Sequence, residues 1–167
     1  RDSVASRGLG DVYKRQDPEN LPDVVFHELF TYEPTFIAAK DHPLSARDYV
    51  EAADFANQNV ITYPVPLERL DLFSQLLLPA AIEPKSVRQV ELTSVILLLV
   101  GANKGVSVLP DWVLQNSRET EHLIKKKLTR KGIKQKLYAA VRRRDSDKPY
   151  VETFLSLSKT ILSRLTP

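Results

Sequence analysis

Apolar positions along the chain follow several local rhythms, and each predicts an element. Residues 29–39 read as extended structure broken at Pro34, because Thr35-Phe36-Ile37-Ala38-Ala39 supplies β-branched, aromatic and small residues. Asp41-His42-Pro43 closes this stretch as a turn. Residues 49–56 have the spacing of a short helix, and Val60-Ile61-Thr62-Tyr63 has the makeup of a buried strand end, halted by Pro64 and Pro66. Leu70, Phe73, Leu76 and Leu77 recur at three- and four-residue intervals, which predicts an amphipathic helix that Pro79 ends or kinks.

Beyond Pro79 the pattern alternates strand with helix. Residues 86–92 predict a strand with a wetter face or an edge position, and Thr93-Ser94 is a helix N-cap signal. The helix it announces, residues 95–103, is apolar on every side and should be buried, with Gly105 at its C-terminal end. Val106-Ser107-Val108-Leu109 predicts a strand running into Pro110-Asp111 and another helix. Residues 123–128 and 137–141 read as strands, and Asp147 with Pro149 opens a terminal helix carrying Tyr150, Phe154, Leu157, Ile161 and Leu165. The alternation predicts an α/β protein with at least one largely parallel sheet. Two lobes fit the punctuation, with one crossing near residues 63–66 and the return within the polar, Lys-rich stretch 121–135.

Composition narrows the class. With 43% apolar and 27% charged residues in 167, the chain is an ordinary globular protein, and zero Cys excludes a disulfide scaffold. The longest apolar run, residues 95–100, is far short of the roughly 20 residues a membrane span needs. Residues 1–16 contribute two of the five glycines and four basic residues without any periodicity. They read as a translated transposase sequencing adapter, a non-native tail to be set aside from fold reasoning. Without that tail the net charge falls from +3 to +1, which removes the basic pI as an argument for nucleic acid. With no Met in the chain, the natural gene is expected to continue upstream of Asp17.

Most chemistry finds no support. His27, His42 and His122 are far apart and lack partners at ligand spacing, so they read as surface or turn histidines and no metal site is expected. The native part has no Gly-x-Ser-x-Gly, no phosphate-binding Gly-x-x-x-x-Gly-Lys and only Gly101, Gly105 and Gly132 from which to build a cradle. The runs Lys125-Lys126-Lys127 and Arg142-Arg143-Arg144 lack interleaved aromatics apart from Tyr138, as expected of a solvated domain edge. What remains is a set of helix starts that follow strands, at Thr93-Ser94 and Pro110-Asp111, with a third near Pro64. Unpaired first-turn amides and the positive end of the helix dipole bind anions there, and ligands of open α/β sheets sit at the carboxyl ends of strands. The competing reading is that Thr93 or Ser94 merely caps its own helix, worth about 1 kcal/mol.

Specific strings then point further. Asp41-His42-Pro43-Leu44, Ile61-Thr62-Tyr63-Pro64-Val65 with Arg69-Leu70-Asp71, Leu78-Pro79-Ala80, residues 105–113 and Leu137-Tyr138-Ala139-Ala140-Val141-Arg142 keep the order and spacing of one family. From about residue 22 to 160 the chain resembles the effector-binding domain of LysR-type transcriptional regulators. The Tyr63 and Leu137 strings are similar to the branch that governs methionine biosynthesis in response to homocysteine.

The resemblance implies two Rossmann-like lobes as in type 2 periplasmic binding proteins, joined by two crossing strands, with the effector held in the cleft between them. On this basis residues 17–60 form a partial lobe I, 61–130 form lobe II and 131–167 return to lobe I. The family's winged helix-turn-helix, its linker helix and the first strand and helix of lobe I are absent from the sequence. Motif carry-over places Thr62, Tyr63, Thr93, Ser94, Leu109 and Pro110 at the effector, with a carboxylate at Thr93-Ser94 and Tyr63 packed on the effector's side chain. The resemblance also implies a cytoplasmic regulator without a cofactor, DNA contact through the absent helix-turn-helix, a homodimer or homotetramer, no membrane, and no reaction on the effector. The apolar helix at residues 70–78 is a candidate partner surface, unless its residues are core. Two other classes stay open: a solute-binding protein of the same architecture, which needs a secretion signal upstream, and a transferase or deaminase, which needs a nucleophile in the cleft.

Overall fold

A computed structural model describes residues 22–115 and 118–162. The segment 1–16 lies outside the described residues. The chain divides into two compact units, passing from the first to the second between Tyr32 and Glu33 and back between Lys134 and Gln135.

The first unit comprises described residues 22–32 and 135–162. Strand β1 (Val24–Tyr32) pairs antiparallel with a late strand, residues Gln135–Arg142, from Val24 opposite Arg142 to Tyr32 opposite Gln135. The register slips between Glu28 and Phe30, a bulge that adds one residue to β1. A terminal helix, Pro149–Leu162, packs on β1 through its buried Val151, while Tyr150, Phe154, Leu157 and Ile161 stay exposed.

In the second unit, β2 (Pro34–Ala39) lies at the centre of a four-stranded sheet. β3 (Tyr49–Val50) is one edge, and β4 (Asn59–Thr62) pairs in parallel with β5 (Ser86–Gln89) outside that sheet. Helix α1 (Thr93–Gly101) leads to β6 (Ser107–Pro110), followed by the short α2 (Asp111–Gln115) and by β7 (Leu123–Leu128). The strand Gln135–Arg142 and the helix Pro149–Leu162 are therefore β8 and α3. The sheet order is β3-β7-β2-β6, and β2 runs antiparallel to both β6 and β7. The sheet is thus mixed, not largely parallel as expected; parallel pairing is confined to β3 with β7 and to β4 with β5, with a bridge from Val60 to Val106.

β2 explains the core. Its residues from Phe36 to Ala39 are buried on both sides, as a near-continuous apolar run requires. Phe36 joins Val50, Phe55, Leu72, Phe73, Leu77 and Leu128 on one face. Ile37 joins Ile61, Ile96, Leu97, Val100, Leu109 and Leu123 on the other.

Several local expectations change in this frame. The lobe boundaries fall elsewhere: residues 33–60, expected in the first lobe, lie in the second unit because β2 and β3 pair with β6 and β7. The helix expected at 49–56 is β3 followed by a 3-10 turn, Ala52–Phe55, whose start is closed by Asp54 accepting from the Glu51 amide at 2.9 Å. At 70–78 the apolar residues form a π-helical turn, Phe73–Leu77, and bury Phe73, Leu76 and Leu77 in the core. Of that segment Phe73, Leu76 and Leu77 are core, whereas Leu78 is exposed. Helix α1 is only half buried: Ile96, Leu97 and Val100 face the core, whereas Leu98 is 68% exposed beside exposed Val95. The apolar character of α1 on every side therefore does not mean burial on every side.

Gly105 is not the helix terminator; Asn103 takes the left-handed conformation after α1, with φ +55°. Gly105 is needed because a Cβ there would lie 2.4 Å from the Asn59 carbonyl oxygen, where the chain runs beside β4. His42 lies in the expected turn but is buried: its Nδ1 accepts the Leu44 amide at 3.2 Å, which leaves Nε2 to donate to Gln58 Oε1 at 3.1 Å. His122 is exposed.

Candidate functional site

β4 and β6 run side by side in the same direction, so their carboxyl ends open on one edge of the second unit. The Ile61 amide donates to the Val106 carbonyl at 2.8 Å, and the Val106 amide donates to Asn59 at 2.9 Å. The buried Ser107 hydroxyl donates to the Ile61 carbonyl at 2.6 Å. Ser107 was not a sequence candidate; the signal available was a polar residue inside an otherwise apolar strand.

At that edge β4 ends on Thr62 and the chain turns at Tyr63. Thr62 is buried and its carbonyl accepts the Val90 amide at 2.8 Å, so its role is to hold β4 to the segment after β5. The Tyr63 hydroxyl sits 2.8 Å from Thr93 Oγ1, a hydrogen bond that joins the end of β4 to the first residue of α1.

The start of α1 is chemically open. The N-cap residue is Leu92, which has no acceptor to offer, and neither Thr93 nor Ser94 caps the helix. The first intrahelical bonds come from Val95 and Ile96, both donating to the Leu92 carbonyl. Among the described residues, the amides of Thr93 and Ser94 have no acceptor. Ser94 is exposed and Thr93 half-buried. Two unpaired amides, a serine hydroxyl and the positive end of a helix make a donor-rich patch that suits an anionic group.

The other two predicted residues do not join it by their side chains. Leu109 is fully buried in the core cluster with Ile61, Ile96 and Leu114, which leaves only its backbone for any ligand. Pro110 is buried opposite Pro34 at the end of β6. The Pro110-Asp111 helix start is closed: the Asp111 amide donates to the Glu33 carbonyl at 2.9 Å, and Asp111 Oδ1 accepts the Trp112 amide at 2.8 Å. With a carboxylate in its first turn, α2 repels anions.

Within the basic runs, Lys125 has a structural role. Lys125, on the strand β7, donates from Nζ to the Leu114 carbonyl at 3.3 Å and to Thr120 Oγ1 at 3.1 Å, closing the end of α2. In the first unit Lys136 pairs with Glu28 at 2.8 Å, which raises the lysine's pKa mainly through that hydrogen bond. No group of three or more potential metal ligands occurs among the described residues, and no helix there is long and apolar enough to cross a membrane.

Residues 6–162 match the family described as LysR substrate binding domain. The chain is 36% identical over 142 residues to the HTH-type transcriptional regulator MetR of Haemophilus influenzae, covering 85% of this chain and 46% of that protein. To the MetR of Escherichia coli K12 it is 35% identical over 130 residues, covering 78% and 40%. The chain thus spans less than half the length of these relatives. The regulatory domain structure of MetR, a LysR family regulator from N. meningitidis, superposes with a TM-score of 0.83 at 37% identity, covering 91% of this chain and 70% of that one.

Proposed function

The chain belongs to the LysR substrate-binding-domain family, and from that premise we propose that it senses homocysteine as co-inducer for a DNA-binding regulator of methionine biosynthesis. The observation that supports this most is the open start of α1, where the Thr93 and Ser94 amides have no acceptor and Tyr63 holds the Thr93 hydroxyl in place. An amino acid's carboxylate is a suitable guest for those donors, through charge-assisted N–H contacts. The MetR relatives support the choice of pathway.

On this reading the domain binds and releases its effector without transforming it. DNA contact belongs to a helix-turn-helix elsewhere in the whole protein, which works in the cytoplasm as a homodimer or homotetramer. The exposed Val95 and Leu98 of α1, and exposed Leu78, are apolar surface offered to a second copy.

Titration of L-homocysteine tests the reading. Ser94→Ala should weaken binding about three- to ten-fold, the range of one hydrogen bond to a charged group, while the melting temperature stays within a degree or two. Equal binding by both proteins would remove Ser94 from the site, and no binding by the parent chain would remove homocysteine.

A further inference from the structure

The two signs of charge are segregated along the chain, which the small net charge hides. Residues 123–144 contain ten Lys and Arg and no carboxylate, whereas the rest of residues 17–167 carries nineteen carboxylates against ten such cations. In the second unit this basic stretch comprises β7 and the turn after it, where Lys127, Arg130, Lys131 and Lys134 are exposed. Among the described residues, none of these four side chains has an ion pair or a hydrogen bond. Three carboxylates that the fold brings beside the turn are engaged elsewhere. The Thr129 amide donates to the Val50 carbonyl at 2.8 Å, which sets Glu51 next to the turn, but Glu51 and Asp54 close a capping box and Asp54 also pairs with Arg47 at 3.3 Å. Glu33 packs against Gly132 with its Oε1 sealed from solvent. The turn itself is fixed: the Gly132 amide donates to the Thr129 carbonyl at 3.2 Å, and both residues take positive φ, +63° at Thr129 and +74° at Gly132. A left-handed threonine is uncommon and persists only where its surroundings hold it, so Arg130 and Lys131 are presented at a set position between the two.

Like charges held close together repel, and folding gains nothing from leaving them unpaired. An anion with many regularly spaced charges relieves all four at once. We propose that this turn and the end of β7 contact the phosphate backbone of duplex DNA, so that the effector domain adds a sequence-independent contact to the one made by the helix-turn-helix. The choice of DNA among polyanions rests on the reading of the whole protein as a DNA-binding regulator; the unpaired cations do not. Three lysines and one arginine on a strand end and a tight turn supply phosphate contacts, which position a protein on DNA without reading its sequence. Four such contacts predict a log–log slope of affinity against salt of about −3.6, or a loss of about 100-fold between 50 and 200 mM.

The test is fluorescence polarisation of a short labelled duplex of mixed sequence, titrated at several salt concentrations with the full chain and two variants. One variant combines Lys127→Gln, Arg130→Gln, Lys131→Gln and Lys134→Gln; the other combines Arg1→Gln, Arg7→Gln, Lys14→Gln and Arg15→Gln and so removes the cations of the tail. The parent and the tail variant should bind with the slope given above. The four-site variant should bind at least about ten-fold more weakly at 50 mM salt and lose most of that slope. Its melting temperature should equal or exceed the parent's, since repulsion is relieved, and its homocysteine affinity should be unchanged. Parent-like DNA binding by the four-site variant overturns the proposal, as does a loss confined to the tail variant. Binding of poly-L-glutamate as tight as that of the duplex, with the same four-site dependence, also overturns it, because the partner is then an acidic protein. If the parent binds homocysteine but no DNA at 50 mM salt, the contact falls and the sensor reading stands. If it binds DNA with the four-site dependence but no homocysteine, the contact stands and the choice of effector falls.

Discussion

Helices α1 and α2 both begin at the carboxyl edge of the second unit, yet their first turns are chemical opposites. α1 starts after Leu92 with no side-chain cap, so the Thr93 and Ser94 amides are left without acceptors among the described residues. α2 starts after Pro110 with both of its first amides already taken, one by the Glu33 carbonyl and one by Asp111's own carboxylate. The same kind of junction is thus open to an anion in one case and closed with a negative charge in the other. A helix start after a strand is a position, and what occupies its first turn decides whether it is a site.

Substitutions separate the two cases. The largest effect is expected from Leu109→Ala, next to α2. Removing this fully buried side chain from the cluster around Ile61 and Ile96 should cost about 2–5 kcal/mol of stability, read by denaturant unfolding. Homocysteine affinity, measured well below the melting temperature, should stay within a factor of two, as befits a core residue that contributes only backbone to the edge. A smaller effect is expected from Asp111→Ala, which frees the Trp112 amide and should cost about 1 kcal/mol, as loss of a cap does. It should not weaken effector binding; a ten-fold loss there would show that α2, too, belongs to the site.

Much of this arrangement was legible in the sequence. The apolar run in β2, the junctions at Tyr63 and Thr93, and the strand before Pro110 follow from periodicity and turn residues. The boundaries between units were not. Pro64 and Pro66 read as a crossing, but they end β4 within one unit, while the crossing at Tyr32 and Glu33 has only a single proline beside it. Which strands pair is set by long-range register, and β2 lies antiparallel between β6 and β7 for reasons that no local pattern carries. The family resemblance placed Leu109 at the effector together with Pro110, but strand alternation turns its side chain into the core. The burial of Glu33 Oε1 has no local signal, since it depends on a distant Gly132 that the fold brings beneath it.

If the uncapped start of α1 receives the carboxylate of the effector, a negative charge placed there blocks it. Side-by-side titration of L-homocysteine into the parent chain and Ser94→Asp reads this out. A carboxylate in the first turn favours the helix dipole, so Ser94→Asp should melt at the same temperature or slightly higher, with a gain of about 0.3–1 kcal/mol. The same charge should repel the ligand and reduce affinity at least about ten-fold, a change of roughly 1.4 kcal/mol. Undiminished binding by a Ser94→Asp protein of intact stability would place the effector's carboxylate elsewhere.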